Sequence, residues 1–135
     1  MMLLSFYRLM NHFGTKSLLH DIKKAAMQGE IIVWSAGFRS WEFIQFLMEQ
    51  GIQIRYVVDR DSSKYKQIPD LNLEVCSWEN VKNKASAVCV LREKYYDEIW
   101  VEIFDEKYKN EESEDERREF VVLNVENYAP FHSEY

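Results

Sequence analysis

Apolar positions along the chain recur sometimes every three or four residues and sometimes every second residue, and the changes of period mark its elements. From Thr15 to Gln28, Leu18, Leu19, Ile22, Ala25 and Ala26 fall at helical spacing, and Gly29 follows where a left-handed cap favours glycine. The run Ile31, Ile32, Val33, Trp34 predicts a buried strand. A helix comes next, with Trp41, Ile44, Leu47 and Met48 on one stripe and Gly51 closing it. From Ile52 to Val58 the pattern first alternates and then becomes continuously apolar, as suits a parallel strand covered on both faces. The polar stretch DRDSSKYKQIPD reads as a loop. LNLEV reads as a short strand nearer the sheet edge, and SWENVKNK as a brief helix capped by Ser77. AVCVL is a buried strand, and Tyr95 to Tyr108 an amphipathic helix with Tyr96, Ile99, Trp100, Ile103 and Phe104 on one side. FVVLN supplies a last strand, after a charged, mostly acidic run over 105–119 that reads as solvated.

The junction after the first strand carries the candidate chemistry. Strand, small-residue turn (Ser35, Ala36, Gly37), helix, second strand and terminal Asp59 follow in the order of a mononucleotide-binding βαβ unit. Such a turn presents free N–H groups at a helix N-terminus, where phosphate binds. Against the GxGxxG fingerprint, Ser35, Ala36, Gly37, Phe38, Arg39 and Ser40 keep only the middle glycine, the one that lets backbone approach a pyrophosphate. Ser35 stands where a glycine normally permits the tight turn. Asp59 falls about twenty residues on, where an acid would hold a ribose; it would equally serve as a turn former in DRDSS. Arg60 could face a 2′-phosphate, although the adjacent carboxylate argues against it. Arg39 on one wall, and Arg92, Glu93 and Lys94 after AVCVL on the other, would border the crevice; each basic side chain could also be an ordinary surface charge.

The expectation is therefore a Rossmann-like three-layer α/β fold with a mostly parallel sheet of about five strands. An N-terminal helical extension occupies 1–28 and the Rossmann-like domain 29–135. Net charge is −6, and the short basic clusters make no patch, so nucleic acid is not expected as a partner. Cys76 and Cys89 lie in apolar, strand-like contexts without CxxC spacing and read as buried thiols. His12, His20 and His132 sit in terminal segments without triad or metal-ligand spacing, so no metal is expected. The apolar N-terminal segment (Leu3, Leu4, Phe6, Tyr7, Met10, Phe13) is too short to span a bilayer and lacks signal-peptide flanks. No membrane association is expected, and the cytoplasm is the default. That segment either covers the domain's own sheet or docks a partner or second copy as a homodimer.

WSAGFRS, YVVDRD, LEVCSWENV, AVCVL and KYYDEI occur in that order. From Ile31 to about Phe104 the chain thus resembles the small Rossmann-like domains that accompany polysaccharide-biosynthesis proteins, including sugar-modifying acyltransferases and glycosyltransferases. The resemblance implies a ligand of nucleotide type, NAD or a nucleotide-sugar. In those relatives the turn usually keeps an earlier glycine, which is Ser35 here, and the catalytic portion they accompany is missing from this sequence. Neither Tyr95 nor Tyr96 begins a Tyr-x-x-x-Lys pair, and the glycine-rich first motif of a methyltransferase is lacking. The expectation is a binding module without catalysis of its own, its site formed by Ser35, Ala36, Gly37, Phe38, Arg39, Asp59 and Arg92. The alternative is a ligand-free scaffold that works through its N-terminal segment.

Overall fold

The computed structural model describes residues 12–109 and 120–128. In chain order its elements are α1 (His12–Ala26), β1 (Glu30–Trp34), α2 (Phe38–Glu49), β2 (Tyr56–Val58), β3 (Lys66–Ile68) and β4 (Leu73–Cys76). They continue as α3 (Trp78–Val81), β5 (Ala85–Val90), α4 (Glu93–Lys109) and β6 (Val121–Asn124). The apolar segment over 1–11, most of the acidic run and the residues from 129 on lie outside the described residues, as do the side chains of Phe13 and Glu93.

One six-stranded sheet runs in the order β3-β4-β2-β1-β5-β6. Every neighbouring pair is parallel except β3 with β4. This is a three-layer α/β arrangement with one strand more than the apolar pattern predicts. The addition is β3, whose Lys66 and Gln67 are exposed. It pairs through its backbone on the outer edge of β4, so no apolar alternation announces it. A short, lysine-bearing antiparallel strand is a common way to guard a sheet edge.

Strand side chains alternate between two cores. Ile31, Val33, Val57, Val75, Ala87 and Cys89 meet α1 and α2 through Leu18, Ile22, Phe43, Ile44 and Leu47. Ile32, Trp34, Val58, Cys76, Val88 and Val90 meet α3 and α4 through Trp78, Val81, Ile99 and Ile103. Burial on both faces accounts for the unbroken apolar reading of β1 and β5. The chain travels outward from β1 to β4 with α2 on one face, then returns past β1 to β5 and β6 with α3 and α4 on the other. Right-handed crossovers require that change of face when the direction of travel reverses.

Helix α1 is built into this body. Leu18 and Ile22 are fully buried in the same core as β1, and the buried Ser86 hydroxyl of β5 donates to the Ala25 carbonyl at 2.6 Å. The helix ends as Gly29 donates to that carbonyl at 3.3 Å, while the left-handed glycine of the described residues is Gly51, at φ 84°. The inner face of α2 is wider than the stripe read from the sequence. Phe43 and Phe46 are buried beside Ile44 and Leu47, whereas Met48 is 37% exposed. Ile52 and Ile54 are buried ahead of β2 rather than within it. Ser77 precedes α3 as foreseen, but its side chain makes no cap bond.

Candidate functional site

The direction of winding reverses between β1 and β5, and the loops leaving their carboxyl ends part there into a crevice. Ligands of open α/β sheets bind at such a point. A cavity of about 280 Å³ opens there, with Trp34 and Val90 at the strand ends. Ser35, Gly37, Phe38, Arg39 and Ser40 line one side, and Leu91, Arg92, Tyr95 and Ile99 the other. Two roomier hollows, of about 530 and 550 Å³, border the amino ends of the strands instead, away from where this class of sheet binds ligands.

The turn has the shape that a glycine normally provides. Ser35 sits at φ 85°, in the left-handed region that L-residues avoid. It is held there by its N–H donating to the Val58 carbonyl at 2.5 Å and by its carbonyl accepting the buried Ser40 hydroxyl at 2.5 Å. Ser40 thereby fastens the start of the helix to the turn. Gly37 is the N-cap of α2, extended at φ −123°, with no side-chain cap. A Cβ built on Gly37 would meet nothing within 4 Å. Neither backbone strain nor the protein's own packing demands glycine here, so the space above this residue is open.

Asp59 does not line the cavity. It is 8% exposed, and its carboxylate ties three segments together. Oδ2 accepts the Ala36 N–H at 2.6 Å and lies 3.7 Å from Lys64 Nζ. Oδ1 accepts the Asp61 N–H at 2.8 Å. Parallel register explains the first contact: Trp34 is level with Val58, so the residues just beyond, in the turn and at Asp59, emerge side by side. The fold thus gives this acid a backbone-holding job and takes up the Ala36 amide with a group of its own. Asp61 continues the pattern, accepting both the N–H and the hydroxyl of Ser63. These bonds hold its carboxyl below the usual value.

Five of the seven residues named from the sequence (Ser35, Gly37, Phe38, Arg39 and Arg92) line the cavity, while Ala36 and Asp59 do not. Lys94 is not in the lining; its ammonium lies 4.8 Å from the centre of the ring of Tyr95, which is. Arg60 leaves the crevice wall for α4, reaching Glu102 at 2.8 Å and Glu98 at 3.7 Å. Tyr95 and Ile99 were not named as site residues. Helical spacing places them one turn apart on the first two turns of α4, which is the signal that could have found them.

Two helices begin at this cavity, α2 just after Gly37 and α4 just after Arg92. Each N-terminus carries roughly half a positive charge from its aligned peptides. Arg39 and Arg92 add full charges. Glu126 lies 3.7 Å from Arg92 Nε in a pair that is partly solvent-exposed; such pairs contribute at most about 1 kcal/mol and yield readily to a competing anion. Among the described residues no group of histidine, cysteine or acid side chains could hold a metal ion, and no helix is long and apolar enough to cross a membrane.

A mostly parallel α/β sheet with a crevice at its reversal point, bordered by Arg39 and Arg92, is the class that this geometry defines. Compared with known protein families, curated proteins and solved structures, the chain matches none.

Proposed function

We propose that the chain is a Rossmann-like module that binds a nucleotide-containing small molecule, of NAD or nucleotide-sugar type, in the β1–β5 crevice without catalysing a reaction. The observation carrying this reading is the open space above Gly37, at the uncapped N-terminus of α2 and facing Arg92 across the cavity. Phosphate would rest on the amides of that first turn, with Arg39 and Arg92 balancing its charge. Phe38, 61% exposed, and Tyr95, 44% exposed, offer aromatic surface for a base or sugar at the mouth.

Calorimetry and thermal shift with NAD(H), UDP-sugars, coenzyme A and S-adenosylmethionine test the reading. Saturable binding that Arg92→Ala weakens is the expected result. Absence of binding to all of them at millimolar concentration would overturn it.

A second reading, a ligand-free interaction protein, draws on the turn itself. Asp59 already occupies the Ala36 amide, and the aromatic Trp100 and the edge-strand Val121 are 43% and 50% exposed. Light scattering on the full chain and on one beginning near Thr15 separates the two readings. Loss of a dimer on truncation, without ligand binding, favours the second.

A further inference from the structure

We infer that the outer edge of β6 joins a second copy of this chain, strand against strand, so that two sheets run on into one. The two margins of the sheet are built differently. At one margin β3 is a three-residue antiparallel strand with Lys66 and Gln67 exposed, which is a guarded edge. At the other margin, among the described residues, β6 has no strand on its outer side. The sequence from Phe120 to Val125 holds no charged residue. Burial is complete along β5 and falls away at the start of β6, where Val121 is 50% exposed. An apolar edge without charge is a template for another strand. Beside it lies a hollow of about 530 Å³, lined by Val121 and Leu123 of this margin and by Asp21, Lys24 and Ala25 of α1. None of these residues lines the crevice, so the inference stands apart from the nucleotide reading.

The occupant is a second copy because this surface is complementary to itself. A hollow bordered by one acid and one base matches its own two-fold image, Asp21 toward Lys24 in both directions. The strand is self-complementary too. Leu123 packs on the α1 side of the sheet and Phe120 and Val122 on the α4 side, and alternation puts Val121 with Leu123. Residues opposite one another in an antiparallel pair share a face. A two-fold axis normal to the sheet at Val122 meets this condition and pairs every residue from Phe120 to Asn124. Val122 then meets its own copy, and the half-exposed Val121 meets Leu123 of the second copy. The Val122 carbonyl accepts the Tyr96 hydroxyl at 3.2 Å and keeps a second lone pair for the pairing.

Light scattering of the full chain over a concentration series, repeated on Val121→Lys, tests the inference, with thermal melts to establish that both are folded. A paired strand and one helix rim make a small interface, so wild type should dimerise at concentrations on the order of tens of micromolar. Val121→Lys places a charge at an exposed position of the edge and should weaken the dimer by about tenfold or more. Cysteine replacement reads the register. Mild oxidation should link Val122→Cys to its own copy, because opposed Cα atoms of an antiparallel pair lie about 4.5–5.5 Å apart, within disulfide reach. Val121→Cys should stay unlinked, and the native thiols of Cys76 and Cys89 are buried and do not compete. A wild type that stays monomeric to millimolar concentration would overturn the inference, as would a dimer that Val121→Lys leaves intact. Linking of Val121→Cys in preference to Val122→Cys would overturn the register.

Discussion

Replacing Ser35 by glycine should make the protein more stable, although it removes a side chain and touches no core residue. Ser35 is held at φ 85°, where an L-residue carries a penalty of about 1–2 kcal/mol. Glycine escapes that penalty but loses more freedom on folding, an opposing effect of about 0.4–1 kcal/mol. The difference is a gain of roughly 0.5–1 kcal/mol. Both bonds that fix the turn through this residue use its backbone, the N–H to Val58 and the carbonyl from Ser40, so they survive the substitution. The side chain is exposed, and its loss leaves no buried cavity. For a domain of this size each kcal/mol moves Tm by about 3–5 °C, which sets the expected rise at about 2–4 °C. Differential scanning calorimetry and urea melts measure it, with Ser35→Ala as control: alanine keeps the Cβ and hence the penalty, and should melt at or slightly below wild type. A Ser35→Gly protein that melts no higher than Ser35→Ala would refute the reasoning.

Gly37→Ala should leave stability within about 0.5 kcal/mol, since φ −123° suits alanine and its Cβ meets open space; it should lower affinity for a phosphorylated ligand at least tenfold, and unchanged affinity in a calorimetric titration would remove Gly37 from the site. Asp59→Ala should cost about 2–3 kcal/mol in urea unfolding, because the Ala36 and Asp61 amides lose a charged acceptor; a loss below about 0.5 kcal/mol would mean that the carboxylate does not hold the turn. Burial pushes the Cys76 thiol up to about 11 and the Cys89 thiol up to about 12. The folded state thus keeps protons that the unfolded chain releases near pH 8.5, so their contribution is intact below that value and is lost as pH climbs toward 11 to 12. Urea midpoints should fall between pH 8 and 11, and iodoacetamide at pH 8 should modify neither thiol until the protein unfolds; alkylation of native protein at the rate of a free thiol would contradict their burial.

Much of the architecture was legible because a strand buried on both faces writes a continuous apolar run, and β1 and β5 do so. The start of α2 was legible from the change of period at Gly37. Strand β3 was not, because Lys66 and Gln67 bury nothing and the backbone alone decides their pairing. The helix stripes were right in direction and wrong in width: Phe43 and Phe46 of α2 reach the core, while Trp100 of α4 lies half exposed against Phe104, with ring centres 4.1 Å apart. Spacing alone does not say how far an aromatic side chain leans. The turn at Ser35 reads in sequence as a missing glycine, and the backbone there adopts glycine's conformation all the same. Asp59 shows where reading by motif falls short. Its position after β2 was visible, but its partner is fixed by the register of β2 against β1, a long-range property that no local pattern encodes. Nor did sequence give notice of the buried Glu42 and Asn124, each with an oxygen that finds no hydrogen-bond partner among the described residues.

Strand β1 lies between β2 and β5, and its two neighbours reach it at different times. Ile32 can meet Tyr56 early in synthesis, but its other neighbour is Val88, much farther along the chain. Until that stretch is made, one margin of this largely buried strand carries bare amides and carbonyls, an invitation to foreign strands. Closing so long a span also slows folding. Fragments that stop short of Ala85 should therefore aggregate rather than persist as half-domains, and the protein's yield in a cell should depend on how quickly synthesis passes from β4 to β5.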